Sequence, residues 1–374
     1  MLFLNKNLSI KKSFTSSEGP WLIDSSGKKF FDCWLGAGTL IFGHTLELEN
    51  KFQGNFINRM LPENGIRLEL LNLIKDLVDF EVGSIGIQTS GSSAITRACR
   101  VARAYKNRRK IALFADFWHG SEDEFLFRRE YEELSEGLAF NPSDRYVWFS
   151  NVDDFLNKAD LKEFAAILIE PFQGSNPEIN MVQTLADPSK REILKNNDVL
   201  LIHDEIITGF RTEYGSASNS RICNPDIVVF GKACSGGYPT GLVILSQNLT
   251  LKIKNKNIFW GGTFAGNPTQ LYYLELQLIK LKKLDYSLIK RNLGSICNYF
   301  EQQIQLENFN HQLSIGEGFA RILPKNNIQP TSRGFLNQKN DSQIELEKKC
   351  KELNLYIPSN RLLFPSIFNI HLIK

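Results

Sequence analysis

The sequence predicts an α/β protein with a mainly parallel central sheet flanked by helices. Short apolar runs alternate with segments of helical periodicity, and we expect each of these runs to be a buried parallel strand. At 374 residues the chain exceeds what one hydrophobic core usually supports, so we also expect a smaller lobe. The five apolar runs are residues 111–116, 165–171, 199–205, 226–232 and 241–246.

The segments between these runs have the pattern of helices packed on a sheet. In "SSAITRACRVARAYKNRRK" the apolar residues Ala94, Ala98, Val101 and Tyr105 share one face, which predicts an amphipathic helix. From about residue 269 the sequence becomes mainly helical. We therefore predict a large domain over residues 46–275 and a small α+β lobe built from residues 1–45 and 276–374.

Composition narrows the possible partners. Lys and Arg total 44 against 41 Asp and Glu, an excess too small to indicate a nucleic-acid-binding surface. The six cysteines lack CxxC spacing, so they predict neither a zinc site nor a disulfide framework and fit reduced thiols in the cytoplasm. No apolar stretch approaches 18 residues, and we expect neither a signal peptide nor a membrane partner.

A candidate phosphate site lies where a strand-like run ends in Thr89-Ser90-Gly91-Ser92-Ser93 and the amphipathic helix begins. Free backbone N–H groups and hydroxyls at a helix N-terminus suit a phosphate. An ordinary Ser N-cap explains the same residues without a ligand.

A second candidate is "DFWHG", which follows the run at 111–116. Loops gather at the carboxyl ends of parallel strands, so Trp118 and His119 are expected there, where an indole could stack on a flat ring. The alternative is a partly buried aromatic residue beside a hydrogen-bonded histidine.

Two charged residues close later apolar runs. Asp204 ends "VLLIHD", and burying a carboxylate is costly unless it is paired, for instance with Arg211 in a structural ion pair. Lys232 follows "VVFG"; it is either a solvated strand end or a lysine in a desolvated pocket, where it can form a Schiff base. A phosphate cradle, an aromatic platform, an acid for a ring nitrogen and an amine together indicate pyridoxal 5'-phosphate, PLP.

With these residues the chain resembles the class III PLP-dependent aminotransferases of fold type I, the aspartate-aminotransferase-like fold, and most closely their glutamate-1-semialdehyde 2,1-aminomutase branch. The resemblance covers about residues 19–371. It rests on the ordered segments "GPWLIDSSGKKFFDCWLGAGTLIFGH", "TSGSSAITRACRVAR", "FWHG", "ILIEPFQG", "LLIHDEIITGFR", "PDIVVFGKACSGGYPTG" and "GGTFAGNP".

The resemblance implies a role for each candidate residue. Lys232 carries the cofactor as a Schiff base and moves a proton, and Asp204 pairs with the protonated pyridine nitrogen. Thr263 reaches the phosphate of the partner subunit, so a homodimer with shared active sites is expected; a glycine-rich turn that touches its own subunit is the alternative. The remaining cofactor-binding residues are Ser90, Gly91 and Ser92 at the phosphate, Trp118 on the ring, and His119 and Ile207 beside it.

Some positions depart from the family pattern. Many family aminotransferases have a glutamine where this chain has Ile207, whereas the aminomutase branch has an apolar residue. Ser175 stands where ornithine- and aminobutyrate-type enzymes have a glutamate. No arginine is assigned to a substrate carboxylate, and the unranked candidates are Arg59, Arg67, Arg333 and Arg361.

The resemblance leaves three functions open. The first is an aminotransferase that moves an amino group from a donor amine to a keto or aldehyde acceptor. The second is an intramolecular aminomutase, which needs no separate donor. The third is a non-catalytic homologue, against which Lys232 and Asp204 both argue.

Overall fold

The structure of the chain is a computed structural model that describes residues 14–44, 68–127, 144–217, 223–307, 309–325, 341–358 and 362–373, with residues 135, 137 and 138. The strands are β1 (Phe14–Glu18), β2 (Trp21–Asp24), β3 (Lys29–Asp32), β4 (Val82–Gln88), β5 (Lys110–Phe114), β6 (Tyr146–Phe149), β7 (Phe164–Ile169), β8 (Leu200–Asp204), β9 (Ile227–Phe230), β10 (Gly241–Ser246), β11 (His311–Ile315), β12 (Ala320–Pro324), β13 (Leu355–Tyr356) and β14 (Leu362–Leu363). The helices are α1 (Leu35–Gly38, one irregular turn), α2 (Leu68–Lys75), α3 (Gly91–Lys106), α4 (Val152–Lys158), α5 (Met181–Leu185), α6 (Pro188–Asn196), α7 (Gln247–Ile253), α8 (Pro268–Lys282), α9 (Tyr286–Leu306) and α10 (Asp341–Glu352).

A central sheet of seven strands has the order β4-β10-β9-β8-β7-β5-β6. The pairs from β9 through β8, β7 and β5 to β6 are all parallel. β10 pairs antiparallel with both β9 and β4, so within the described sheet it alone runs against the other strands. The carboxyl ends of β4, β5, β7, β8 and β9 therefore meet at one edge, the position at which open α/β sheets bind ligands.

Helices cover both faces of this sheet because its strands are apolar on both sides. In β9, Ile227 and Val229 pack into a cluster with α3, while Val228 and Phe230 pack into a second cluster with α8. On α3, the predicted apolar face is the buried one, with Ala94 and Ala98 fully enclosed. The first of these clusters packs the start of α3 against the sheet.

Two smaller sheets lie outside the central one. One has the order β1-β2-β3-β13 and the other the order β11-β12-β14, and a third cluster joins residues of both sheets to α9 and α10. The predicted domain boundaries after residues 45 and 275 stay a prediction; α8 spans the second of them.

The α/β class with a mainly parallel sheet is confirmed. The five predicted strands are β5, β7, β8, β9 and β10, but the expectation that all of them run parallel was wrong for β10. The direction of β10 depends on its pairing with β4, which a local apolar pattern does not reveal. None of the described helices is both long enough and apolar enough to cross a bilayer.

Candidate active site

A pocket lies at the edge of the central sheet where the strands end and α3 begins. It holds about 500 Å³ of free space, part of which is open to solvent. Its lining residues come from the start of α3, from the loop after β5, and from the ends of β7, β8 and β9. They are Gly91, Ser92, Trp118, His119, Gly120, Glu170, Asp204, Ile206, Ile207 and Lys232.

Asp204, the last residue of β8, is held by two hydrogen-bonded groups. Its Oδ2 lies 2.9 Å from His119 Nδ1, and its Oδ1 accepts the Ile206 N–H at 3.1 Å. Both Asp204 and His119 are 3% exposed, so water contributes little to solvating this pair. The carboxylate is thereby fixed in one orientation toward the pocket.

Arg211, the alternative partner considered for Asp204, donates its hydrogen bonds to backbone carbonyls instead. Its Nε donates to the Ile207 carbonyl at 2.9 Å, its Nη2 donates to the Gly38 carbonyl, and its guanidinium lies 4.8 Å from the centre of the Phe364 ring. Arg211 therefore ties the loop after β8 to α1, and the ion pair between Asp204 and Arg211 was a wrong alternative.

Lys232 follows β9 by two residues and opens a short 3-10 turn. Its φ of 45° lies in the left-handed region, which a lysine adopts only when its surroundings enforce it. Burial lowers the pKa of the amine to about 8, partly opposed by the negative charges of Asp204 and Glu170. Most of the amine is still protonated at neutral pH, but its neutral form, which attacks a carbonyl carbon, is far more populated than in an exposed lysine.

The start of α3 supplies backbone N–H groups to the pocket. Ser90 is the N-cap: its hydroxyl accepts the Ser93 N–H, and the Ser93 hydroxyl accepts the Ser90 N–H. Neighbouring segments pack closely around the start of α3. A Cβ at Gly91 would lie 2.6 Å from Ile206 Cδ1, and a Cβ at Gly120 would lie 2.6 Å from Ser92 Oγ. Gly120, with φ of 121°, has a backbone conformation that favours glycine, and α3 has an N-terminus suited to an anion.

Trp118 and Glu170 face the pocket from neighbouring strand ends. The Trp118 N–H donates to Glu170 Oε2 at 3.2 Å, and Glu170 is 2% exposed. Burial, together with the nearby charge of Asp204, raises the pKa of Glu170 to about 8.

Seven of the nine predicted site residues line the pocket: Gly91, Ser92, Trp118, His119, Asp204, Ile207 and Lys232. Ser90 lies next to it as the helix cap, and Thr263 lies on an exposed turn outside it. Sequence reasoning missed Glu170, Gly120 and Ile206. The four candidate arginines at 59, 67, 333 and 361 fall outside the described residues.

The lining fits PLP in its donor set. An amine, a fixed carboxylate and a helix N-terminus match the aldehyde, the ring nitrogen and the phosphate of that cofactor. The buried His119 Nε2 has no hydrogen-bond partner in the described part of the chain, so the site retains one polar atom for a further group. Among the described residues no cluster of His, Cys, Asp or Glu has a geometry for a metal ion.

Fold and pocket together define a fold type I PLP-dependent enzyme. The family model for class-III aminotransferases matches residues 5–312. The chain therefore belongs to the class-III aminotransferase family, whose members are PLP-dependent enzymes.

Curated relatives match most of the chain. A glutamate-1-semialdehyde 2,1-aminomutase of Thermoplasma volcanium is 25% identical over 360 residues, covering 92% of this chain and 84% of the relative. One of Saccharolobus islandicus is 27% identical over 365 residues, with 92% and 83% covered.

Solved structures share the fold at lower identity. An omega-transaminase from Sphaerobacter thermophilus superimposes with a TM-score of 0.77 at 20% identity, covering 96% of this chain and 87% of that protein. A glutamate-1-semialdehyde aminomutase from Pseudomonas aeruginosa gives 0.76 at 19% identity, with 95% and 83% covered. These likenesses support the fold type.

Proposed function

We propose that the chain is an aminotransferase in which Lys232 carries PLP and Asp204 sets the charge of its ring. The observation that carries the proposal is the convergence of Lys232, Asp204 and the N-terminus of α3 on one pocket. A donor amine and a keto or aldehyde acceptor are the substrate classes that this chemistry serves.

Lys232 has two tasks in this proposal. Its neutral amine, favoured by burial, attaches the cofactor, and after release it takes and returns a proton at the substrate carbon. The pKa of about 8 suits both tasks, because an amine with a pKa near the working pH both accepts and donates protons readily.

Asp204 and His119 act as a pair. When bound, PLP supplies an electron sink through its protonated ring nitrogen. Asp204 keeps that nitrogen protonated by offering a negative charge, and His119 holds the carboxylate in place through the contact at 2.9 Å. Trp118 forms one wall of the pocket, and the N–H groups of Gly91 and Ser92 bind the phosphate.

A half-reaction screen tests the proposal. Purified protein is reconstituted with PLP, and single amines are added while the visible spectrum is recorded. We expect the yellow colour to be lost with donor amines and regained with a keto acid or aldehyde. Protein that does not bind PLP, or whose spectrum no amine changes, would contradict the proposal.

A second candidate is an intramolecular 2,1-aminomutase. It is favoured by the aminomutase relatives at 25% and 27% identity and by the apolar Ile207, which lines the pocket. Release of a keto acid after addition of a donor to the pyridoxal form supports the aminotransferase. Isomerisation of an amino aldehyde without net release of keto acid supports the aminomutase.

We also propose that the protein works in the cytoplasm as a homodimer with shared active sites. All six cysteines are free and buried, which is compatible with a reducing compartment. The dimer follows from the expected role of Thr263, whose side chain is exposed and does not line its own subunit's pocket.

A further inference from the structure

Glu170 is a buried acid that the proposed chemistry leaves without a task. It directly follows β7, is 2% exposed and lines the pocket together with Asp204 and Lys232. A Cβ at Gly174 would lie 3.0 Å from Glu170 Oε1, so the turn after Glu170 encloses its carboxyl group. Its other oxygen, Oε2, accepts the Trp118 N–H.

The charges around Glu170 come from three neighbouring segments. Asp204 ends β8, Lys232 follows β9, and His119 in the loop after β5 contacts Asp204. Two carboxyl groups in one desolvated pocket do not both ionise readily, because each negative charge raises the cost of the other. Both acids accept backbone N–H groups, Glu170 from Trp118 and Gly174 and Asp204 from Ile206. Asp204 also contacts an imidazole nitrogen, which favours the negative charge on Asp204.

We propose that Glu170 is a positioning residue that works as a neutral carboxylic acid: it anchors the backbone of Trp118 and leaves the negative charge of the acid pair on Asp204. The inference rests on the proposed PLP chemistry of this site. A second negative charge on Glu170 would compete with Asp204 for the cation on Lys232 and would repel the anionic groups of the cofactor.

The anchoring role of Glu170 follows from the hydrogen bond of 3.2 Å that its Oε2 accepts from the Trp118 N–H. Trp118 and His119 are consecutive, so the bond from the Trp118 N–H fixes both the indole wall and the imidazole that holds Asp204. Glutamine keeps a carbonyl oxygen at this place and is neutral, whereas alanine removes the acceptor and leaves the N–H unpaired.

The protonation state is tested first, on apo protein, with Glu170→Gln. The infrared band of a protonated carboxylic acid is recorded for wild type and variant. We expect wild type to show at neutral pH a band that Glu170→Gln lacks, and this band to fade as pH rises past about 8, because the neutral form dominates below the pKa. In Asp204→Asn the band should fade at lower pH, because the repelling charge is gone. No difference between wild type and Glu170→Gln would overturn the proposal.

The anchoring role is tested by PLP affinity of the apo protein. We expect Glu170→Gln to bind within about threefold of wild type and Glu170→Ala to bind at least about tenfold more weakly. Asp226→Asn is the matched control, because Asp226 also accepts a backbone N–H, from Leu201 at 2.9 Å, but does not line the pocket. Its affinity should equal that of wild type.

The outcomes separate the two proposals. Equal weakening in Glu170→Gln and Glu170→Ala means that an ionised carboxylate is needed, and wild-type affinity in Glu170→Ala removes the anchoring role; either result overturns the inference. Wild-type protein that binds no PLP refutes the proposed function instead, and the infrared result on apo protein still decides the protonation state of Glu170.

Discussion

The pocket at the strand ends buries its acidic side chains, whereas the loop that carries Thr263, residues 259–267, exposes Thr263 to solvent. In the pocket, Asp204 and Glu170 are buried and accept hydrogen bonds from their own chain. In the Thr263 loop, the hydroxyl-bearing residue is exposed, and Phe264 beside it is 63% exposed.

The Thr263 loop is nevertheless anchored at both ends. Arg97 and Arg100 donate to the carbonyls of Trp260 and Phe259, at 3.3 and 2.8 Å. At the other end the Gly266 N–H donates to Gln270 Oε1 at 2.7 Å. A fixed loop with an exposed middle suits a surface completed by a second copy of the chain. In our proposal one chain therefore supplies the amine and the acids of each pocket, whereas the phosphate site of that pocket is completed by a second chain.

The largest loss of turnover is expected from Lys232→Ala, which removes the amine from the pocket. Turnover should fall by roughly a thousandfold, because one residue both attaches the cofactor and moves the proton. Borohydride treatment of wild type should fix the cofactor to the peptide that contains Lys232 and leave the variant unlabelled. The exposed Lys256→Ala is the control and should behave as wild type. A variant with unchanged turnover would refute the proposed function.

Asp204→Asn should have the next largest effect. A neutral amide cannot stabilise a protonated ring nitrogen, so we expect turnover to drop by about a hundredfold while PLP still attaches to Lys232. Stopped-flow spectra separate attachment from proton transfer. Near-normal turnover in this variant would show that Asp204 has a structural role.

The adjacent acid provides a matched contrast. Glu205 is also buried, but it accepts hydrogen bonds from the hydroxyls of Thr208 and Ser216 and does not line the pocket. Glu205→Gln should lower the melting temperature with little change in the cofactor spectrum, because it weakens the hydrogen bonds with Thr208 and Ser216 and Glu205 does not line the pocket.

Sequence patterns predicted most of the residues that line this pocket because strand ends are local features. Lys232 and Asp204 each close an apolar run, and the parallel arrangement of β8 and β9 then brings the two together. Glu170 carries the same signal after β7 and was overlooked inside the run 165–171. An acid directly after a buried strand would have identified it.

The contacts that could not be predicted join residues far apart in the sequence. His119 lies 85 positions from its partner Asp204, and Arg211 bonds to a carbonyl 173 positions away. No local pattern encodes such pairings, which depend on strand order. The antiparallel direction of β10 was mispredicted for the same reason.

Among the three variants Lys232→Ala, Asp204→Asn and Thr263→Ala, the last, on the loop side of the comparison, is expected to have the smallest effect. A hydrogen bond to a charged phosphate contributes about 1.5 to 3 kcal/mol, so the variant should bind PLP roughly ten- to a hundredfold more weakly. Thr263→Ser keeps the hydroxyl and should bind nearly as wild type. Unchanged affinity in Thr263→Ala would remove Thr263 from the cofactor site.

Complementation decides which subunit Thr263 serves. Lys232→Ala chains are refolded together with Thr263→Ala chains, and activity is measured at limiting PLP. If the sites are shared, each mixed dimer has one site with both defects and one intact site, because the intact Lys232 of one chain meets the intact Thr263 of the other. Activity should then exceed the average of the two parents. If both residues serve the same subunit, every site in the mixed dimer carries one defect, and the mixture gives no more than that average. The exposed position of Thr263, outside its own pocket, favours the first outcome.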